Sequence, residues 1–213
     1  MSFIEFVSNH SAKWLAKNYP NNGKYPTVED QIEVFTYGFM VIWGAIFKGF
    51  IMVSLASIFG VILPAMIITL TFSSLRIIAG GYHFGEYTKC ITFSTIQFIG
   101  SALIVKYTLQ YWSHLDIQGL FLFCWAMGLY VNFRYIPKDT PNKLITEPLE
   151  REKFKKWSLL YLISWVTMMI ILSFFNLNII VIASCFGLLL ELFSISKIGY
   201  GLYSLVDDII IHK

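Results

Sequence analysis

Long apolar runs cut by short polar clusters set the character of this chain. A membrane-crossing helix needs roughly 20 apolar residues. Six runs approach that length: one within 34–58, then about 60–78, 90–105, 120–136, 157–175 and 179–195. The first contains Lys48, the second Pro64, and the sixth ends near Glu191. The third and fourth are short, which leaves a tilted or partly re-entrant path open there. "FFNLNI" leaves almost no connection between the last two runs, so they should pair as a tight hairpin. Ahead of the runs, "FIEFVSNHSAKWLAK" (3–17) spaces Phe3, Phe6, Val7, Trp14 and Leu15 helically, with Lys13 and Lys17 among them. It reads as an amphipathic helix, either on a membrane surface or packed on the protein itself. "NYPNNGKYP" (18–26) breaks it. The pattern predicts an all-α integral membrane protein. It has about six transmembrane helices, an N-terminal amphipathic helix and a Gly-rich bend before the third span. We divide the single domain into an interfacial helix and linker (1–27) and a membrane core (28–213).

Composition agrees. Of 213 residues 56% are hydrophobic and 14% charged, against about 25% charged in an ordinary soluble domain. The first charge-poor run starts well inside the chain and others follow, which argues against a secreted protein behind a signal peptide. Three cysteines, two of them inside apolar runs (Cys124, Cys185), make no disulfide framework. The net charge of +3 is small and gathered near membrane ends, a poor match to nucleic acid.

The placement of basic residues predicts orientation. With six spans and the N-terminus inside, the cytoplasmic segments carry Lys13, Lys17, Lys24, Arg76, Lys89, the seven of the 134–156 loop, Lys197 and Lys213. Only Lys106 falls outside, and Lys48 lies within a span. The positive-inside rule favours this arrangement, which puts residues 76–90 and both termini at the cytoplasmic face of the membrane.

That segment holds the candidate chemistry. On one straight helix, His83 and Cys90 would stand about 10.5 Å apart at 1.5 Å per residue. A thiol and its general base must approach to about 3 Å. The two work together only if the chain bends between them, and Gly80, Gly81 and Gly85 permit the bend. Cys90 would then open the third span, where a helix N-terminus favours a thiolate. Glu86 can orient the imidazole or stand as an exposed charge at the membrane boundary. Arg76 can hold a carboxylate, help fix the bend or snorkel to the interface.

"RIIAGGYHFGEYTKC" matches the pattern R-x-x-A-G-G-x-H-x6-C and thereby resembles the accessory gene regulator B family. "PKDTPNKLI" (137–145) is similar to that family's P-x-D-T-P-x-K-P-I stretch, with Leu144 in place of a proline, and "E-x3-YG" (Glu33 to Gly38) agrees. The resemblance implies an integral-membrane cysteine endopeptidase of Gram-positive bacteria. Such enzymes process the precursor of a cyclic autoinducing peptide used in quorum sensing. Carried over by position, Cys90 is the nucleophile and His83 its base; Glu86 as a third catalytic member is our own assignment. Arg76, Glu33 and Lys143 are the candidate substrate-binding residues, Lys143 facing the acidic C-terminal tail of a short amphipathic precursor. A homodimer embedded in membrane lipid is implied; no cofactor and no metal ion is.

Two rivals remain. A small peptide or metabolite transporter would use Lys48 and Glu191 as pathway residues, and those two can pair if both lie deep. A metal-dependent hydrolase could draw ligands from His83, Glu86 and Cys90, but no H-E-x-x-H helix is present.

Overall fold

The computed structural model describes residues 3–19, 23, 25–82, 84–85, 87–138 and 147–211. The secondary structure among them is helical, with no strand. Among the described residues six helices are long and apolar enough to cross a membrane. The chain divides into two compact units, 1–54 and 55–213.

The first unit holds α1 (Phe3–Asn18) and most of α2 (Val28–Ile58). α1 leaves Phe6 and Trp14 more than half exposed while Ser8, Ala12 and Ala16 are covered. One face is thus packed and the other projects large apolar groups, as an interfacial helix does. α2 starts at a reciprocal cap: Asp30 N–H donates to Thr27 Oγ1 at 3.0 Å, and Thr27 N–H donates to Asp30 Oδ2 at 3.1 Å. Two otherwise orphaned donors are satisfied there.

In the second unit, α3 (Ile62–Ala79), α4 (Tyr87–Thr108), α5 (His114–Tyr135), α6 (Pro148–Phe174), α7 (Asn178–Ile195) and α8 (Lys197–Ile211) form one bundle. Pro64 falls in the first turn of α3, where a missing N–H costs nothing. α4 and α5 run 22 residues each. They exceed the short apolar runs because their ends are polar or aromatic: Tyr87 to Lys89, Lys106 to Thr108, and His114 to Gln118. Both are full-length helices, and the re-entrant alternative falls away. The α6–α7 hairpin is as tight as expected, with Leu177 N–H donating to Leu172 O at 3.1 Å.

α7 is the hub, touching every other helix of the unit. Its contact with α3 depends on Gly187: a Cβ there would lie 2.6 Å from Ile68 O and 2.9 Å from Thr71 Cβ. Small residues of this kind let membrane helices approach closely. Polar groups then join across the bundle. Thr71 Oγ1 and Ser184 Oγ are 3.0 Å apart, and Trp165 Nε1 donates to Ser184 Oγ at 2.8 Å. Tyr161 Oη lies 2.9 Å from Ser74 Oγ.

α8 is the element our reading of the pattern missed. Ser196 caps it, accepting from Gly199 N–H at 3.1 Å. Its buried stripe is Gly199, Tyr203 and Asp207, spaced i, i+4, i+8, while Ile198, Leu202 and Leu205 are exposed. Polar and aromatic groups face the bundle and apolar ones face outward, the inverse of a soluble amphipathic helix.

Candidate active site

The site begins where α3 ends. Gly80 takes φ +79° and Gly81 φ +149°, backbone that side chains with a Cβ rarely adopt. Gly80 also runs against the Lys138 carbonyl with no room for a Cβ. Lys138 N–H seals that approach by donating to Ala79 O at 2.9 Å. The described residues between α3 and α4 (Gly80, Gly81, Tyr82, Phe84 and Gly85) are non-helical. The helix breaks at the glycines, the bend expected before the third span.

Arg76, in the last turn of α3, holds the first half of this turn. Its Nη1 donates to Glu191 Oε2 and to Ser194 Oγ, each at 3.3 Å, and its Nη2 donates to the Tyr82 carbonyl. Ser194 Oγ in turn donates to Glu191 Oε2 at 3.0 Å. The Glu191 side chain is fully buried and that of Arg76 is 20% exposed. A charged group within a candidate span usually has a partner, and Arg76 is one for the buried Glu191 carboxyl. Glu191 Oε1 is buried and has no hydrogen-bond partner among the described residues. A Cβ on Gly81 would lie 3.3 Å from that oxygen and 2.7 Å from Arg76 Nη1. Gly81 is therefore the residue that lets the turn close onto the ion pair.

Asp207 of α8 holds the second half. Its Oδ2 accepts from the Tyr82 hydroxyl and from Gly85 N–H, both at 3.1 Å. Lys89 Nζ reaches Asp207 Oδ1 at 3.4 Å and its backbone carbonyl at 3.2 Å. Aromatic rings fill the space between. Tyr82 packs edge-on against Phe84, Tyr200 and Tyr203, with centroids 5.2, 4.9 and 5.8 Å away. Phe84 also meets Phe93 at 5.1 Å, and Gln97 Nε2 donates to the Tyr203 hydroxyl at 2.9 Å. Lys138 Nζ lies 4.7 Å from the Tyr200 ring centroid.

Cys90 is the fourth residue of α4, a free and half-buried thiol. The first turn of a helix presents N–H groups with no intrahelical acceptor, donors of the kind that stabilise an oxyanion. Cys124 and Cys185 are buried, the thiol of one 3.9 Å from the carbonyl of the other, and belong to the packing of α5 on α7. Of the other candidates, His83, Glu86 and Lys143 lie outside the described residues. Glu33 is exposed on α2, in the first unit.

The structure brings Arg76 and Cys90 to the two ends of one turn. It adds Glu191, Ser194, Lys89 and Asp207, to which we had given no role at this site. One signal for Asp207 was present: Gly199, Tyr203 and Asp207 share a helical face in a segment otherwise rich in isoleucine and leucine.

No solved structure matches the chain. AgrB-like protein 2 of Clostridium perfringens (strain 13 / Type A) is 23% identical across 96% of this chain and 97% of its own length. An AgrB-like protein of Clostridium perfringens (strain SM101 / Type A) is 25% identical across 90% of this chain and 89% of its own. The sequence profile described as AgrB, accessory gene regulator B, matches residues 8–195. With six helices fit to cross a membrane and a profile match over most of its length, the chain is a multi-pass membrane protein of the accessory gene regulator B family, whose role is in autoinducing-peptide processing.

Proposed function

We propose that this chain is a membrane cysteine endopeptidase that cleaves a signal-peptide precursor and promotes its cyclisation. The supporting observation is the broken helix at the glycine pair, with Cys90 in the first turn of the membrane helix that follows. The Cys90 thiolate attacks the carbonyl at the end of the signal segment. His83 passes a proton to the departing amine, the acidic C-terminal tail leaves, and a thioester to Cys90 remains. An internal cysteine or serine of the precursor, deprotonated by His83, attacks that thioester, closes a thiolactone or lactone ring and frees Cys90.

The second step is close to isoenergetic when thiol replaces thiol. It succeeds if water is kept from the acyl group and the internal nucleophile is held near it. The half-buried setting of Cys90 supports the first condition. In this reading Glu86 orients His83, and Lys143 and Glu33 engage the precursor. Arg76 serves by holding the turn through Glu191 and Ser194. The turn faces the cytoplasm, where the positive-inside pattern puts it, and two copies associate as a homodimer.

The test is co-expression with a candidate precursor carrying a Cys- or Ser-containing core and an acidic tail. Tail release is expected from the native chain, and Cys90→Ala and Cys90→Ser should both abolish it while membrane insertion persists. Cleavage that survives Cys90→Ala would end the protease reading. Transport of an intact peptide without cleavage would favour the transporter instead.

A further inference from the structure

The profile match stops at Ile195, yet α8 (Lys197–Ile211), which lies beyond it, packs directly on the turn before Cys90. A turn with no helix or sheet bonds of its own needs outside partners for its backbone, and α8 supplies one. The Asp207 carboxylate gathers the Tyr82 hydroxyl, Gly85 N–H and Lys89 Nζ. These three points lie on both sides of His83 in sequence, and the last is the immediate neighbour of Cys90. Tyr203, one turn earlier on the same face, fits among Tyr82, Phe84 and Phe93 and is tied to α4 through Gln97. Large apolar side chains stand on the outer face of α8, as suits lipid: Ile198 is 78% exposed and Leu205 62%.

We propose that α8 is a clasp on the reactive turn, and that Asp207 is a positioning residue setting the 82–89 segment relative to Cys90. This rests on the cysteine-endopeptidase reading for its kinetic consequence and on contacts alone for its structural one. Asp207→Asn keeps the volume, removes the charge that Lys89 meets and turns one acceptor into a donor. The substrate's contacts are left in place, so the clasp predicts a loss in kcat with KM unchanged. A displacement of about 1 Å at a reacting group costs up to about a hundredfold.

The experiment uses the full chain in nanodiscs, with precursor cleavage and amide hydrogen exchange measured on the same samples. In Asp207→Asn, kcat should fall about tenfold or more with KM within about twofold of the native value. Exchange of a peptide covering 82–89 should rise about tenfold while peptides from α5 and α7 hold their protection. Tyr82→Phe, which removes one hydroxyl, should show a smaller loss of the same kind. The double variant should be no worse than Asp207→Asn, because both act on one clasp. Native exchange at 82–89 in Asp207→Asn overturns the clasp; raised exchange with native kcat overturns the positioning role. If Asp207→Asn raises exchange throughout the bundle, Tyr82→Phe decides, and native kcat in that variant overturns the proposal. If the native chain cleaves nothing, or Cys90→Ala still cleaves, the endopeptidase reading falls, and exchange at 82–89 alone decides the clasp.

Discussion

Glu191 is fully buried and meets the Arg76 guanidinium and the Ser194 hydroxyl. Removing one partner of a buried ion pair leaves the other charge uncompensated, which costs about 3–5 kcal/mol. Arg76→Ala should therefore lower the unfolding midpoint in detergent substantially, and Arg76→Ala combined with Glu191→Gln should recover part of the loss. A double variant no more stable than Arg76→Ala would show that the ion pair is not what α3 and α7 rely on here. Asp207 behaves differently. Burial opposes its ionised form, but Gly85 N–H, the Tyr82 hydroxyl and Lys89 outweigh that and hold the carboxyl below the usual carboxylate range. A lowered pKa in the folded state means that its contribution is complete above the ordinary carboxylate value. The contribution is lost as pH falls through the lowered one. Protection of the 82–89 amides, corrected for intrinsic exchange rate, should thus stay flat from about pH 5 to 8 and weaken only below about pH 4. Loss of protection near neutrality would contradict the assignment.

How much of this was legible differs residue by residue. The break at Gly80 and Gly81 and the helix start near Cys90 were legible from the glycines themselves, which permit a bend; spacing made that bend a condition for His83 and Cys90 to act together. Ser194 and Asp207 were hidden: their partners are 118 and 122 residues away in sequence, at Arg76 and Gly85. No local periodicity encodes a contact of that kind.

The helices show the same division. The six spans were readable because hydropathy over about 20 residues is a strong signal. The ends of α4 and α5 were not, since interfacial Tyr, Lys and Thr extend a helix without extending an apolar run. α8 escaped because it is short and turns its polar stripe inward. Helix contacts, by contrast, depend on single small residues. Gly187→Ala should force α7 from Ile68 and Thr71 of α3 and cost about 1–3 kcal/mol, read as a lower unfolding midpoint. Gly100→Ala, where a Cβ meets nothing within 4 Å, should leave the midpoint unchanged or raise it slightly. Equal effects from the two would refute the close approach of α3 and α7.

Across the second unit these contacts converge on one turn. α3 delivers Arg76 and ends at the glycine pair, α7 delivers Glu191 and Ser194, α8 delivers Asp207 and Tyr203, and the first turn of α4 carries Lys89 and Cys90. Inside that frame the proposed chemistry is that of the Cys90 thiol. Purified protein mixed with a precursor and quenched in acid should carry, on the peptide containing Cys90, the mass of the precursor's N-terminal portion. Hydroxylamine should remove that mass, as expected of a thioester, and Cys90→Ala should never acquire it. Release of the acidic tail with no adduct on Cys90, or release by Cys90→Ala, would contradict the account.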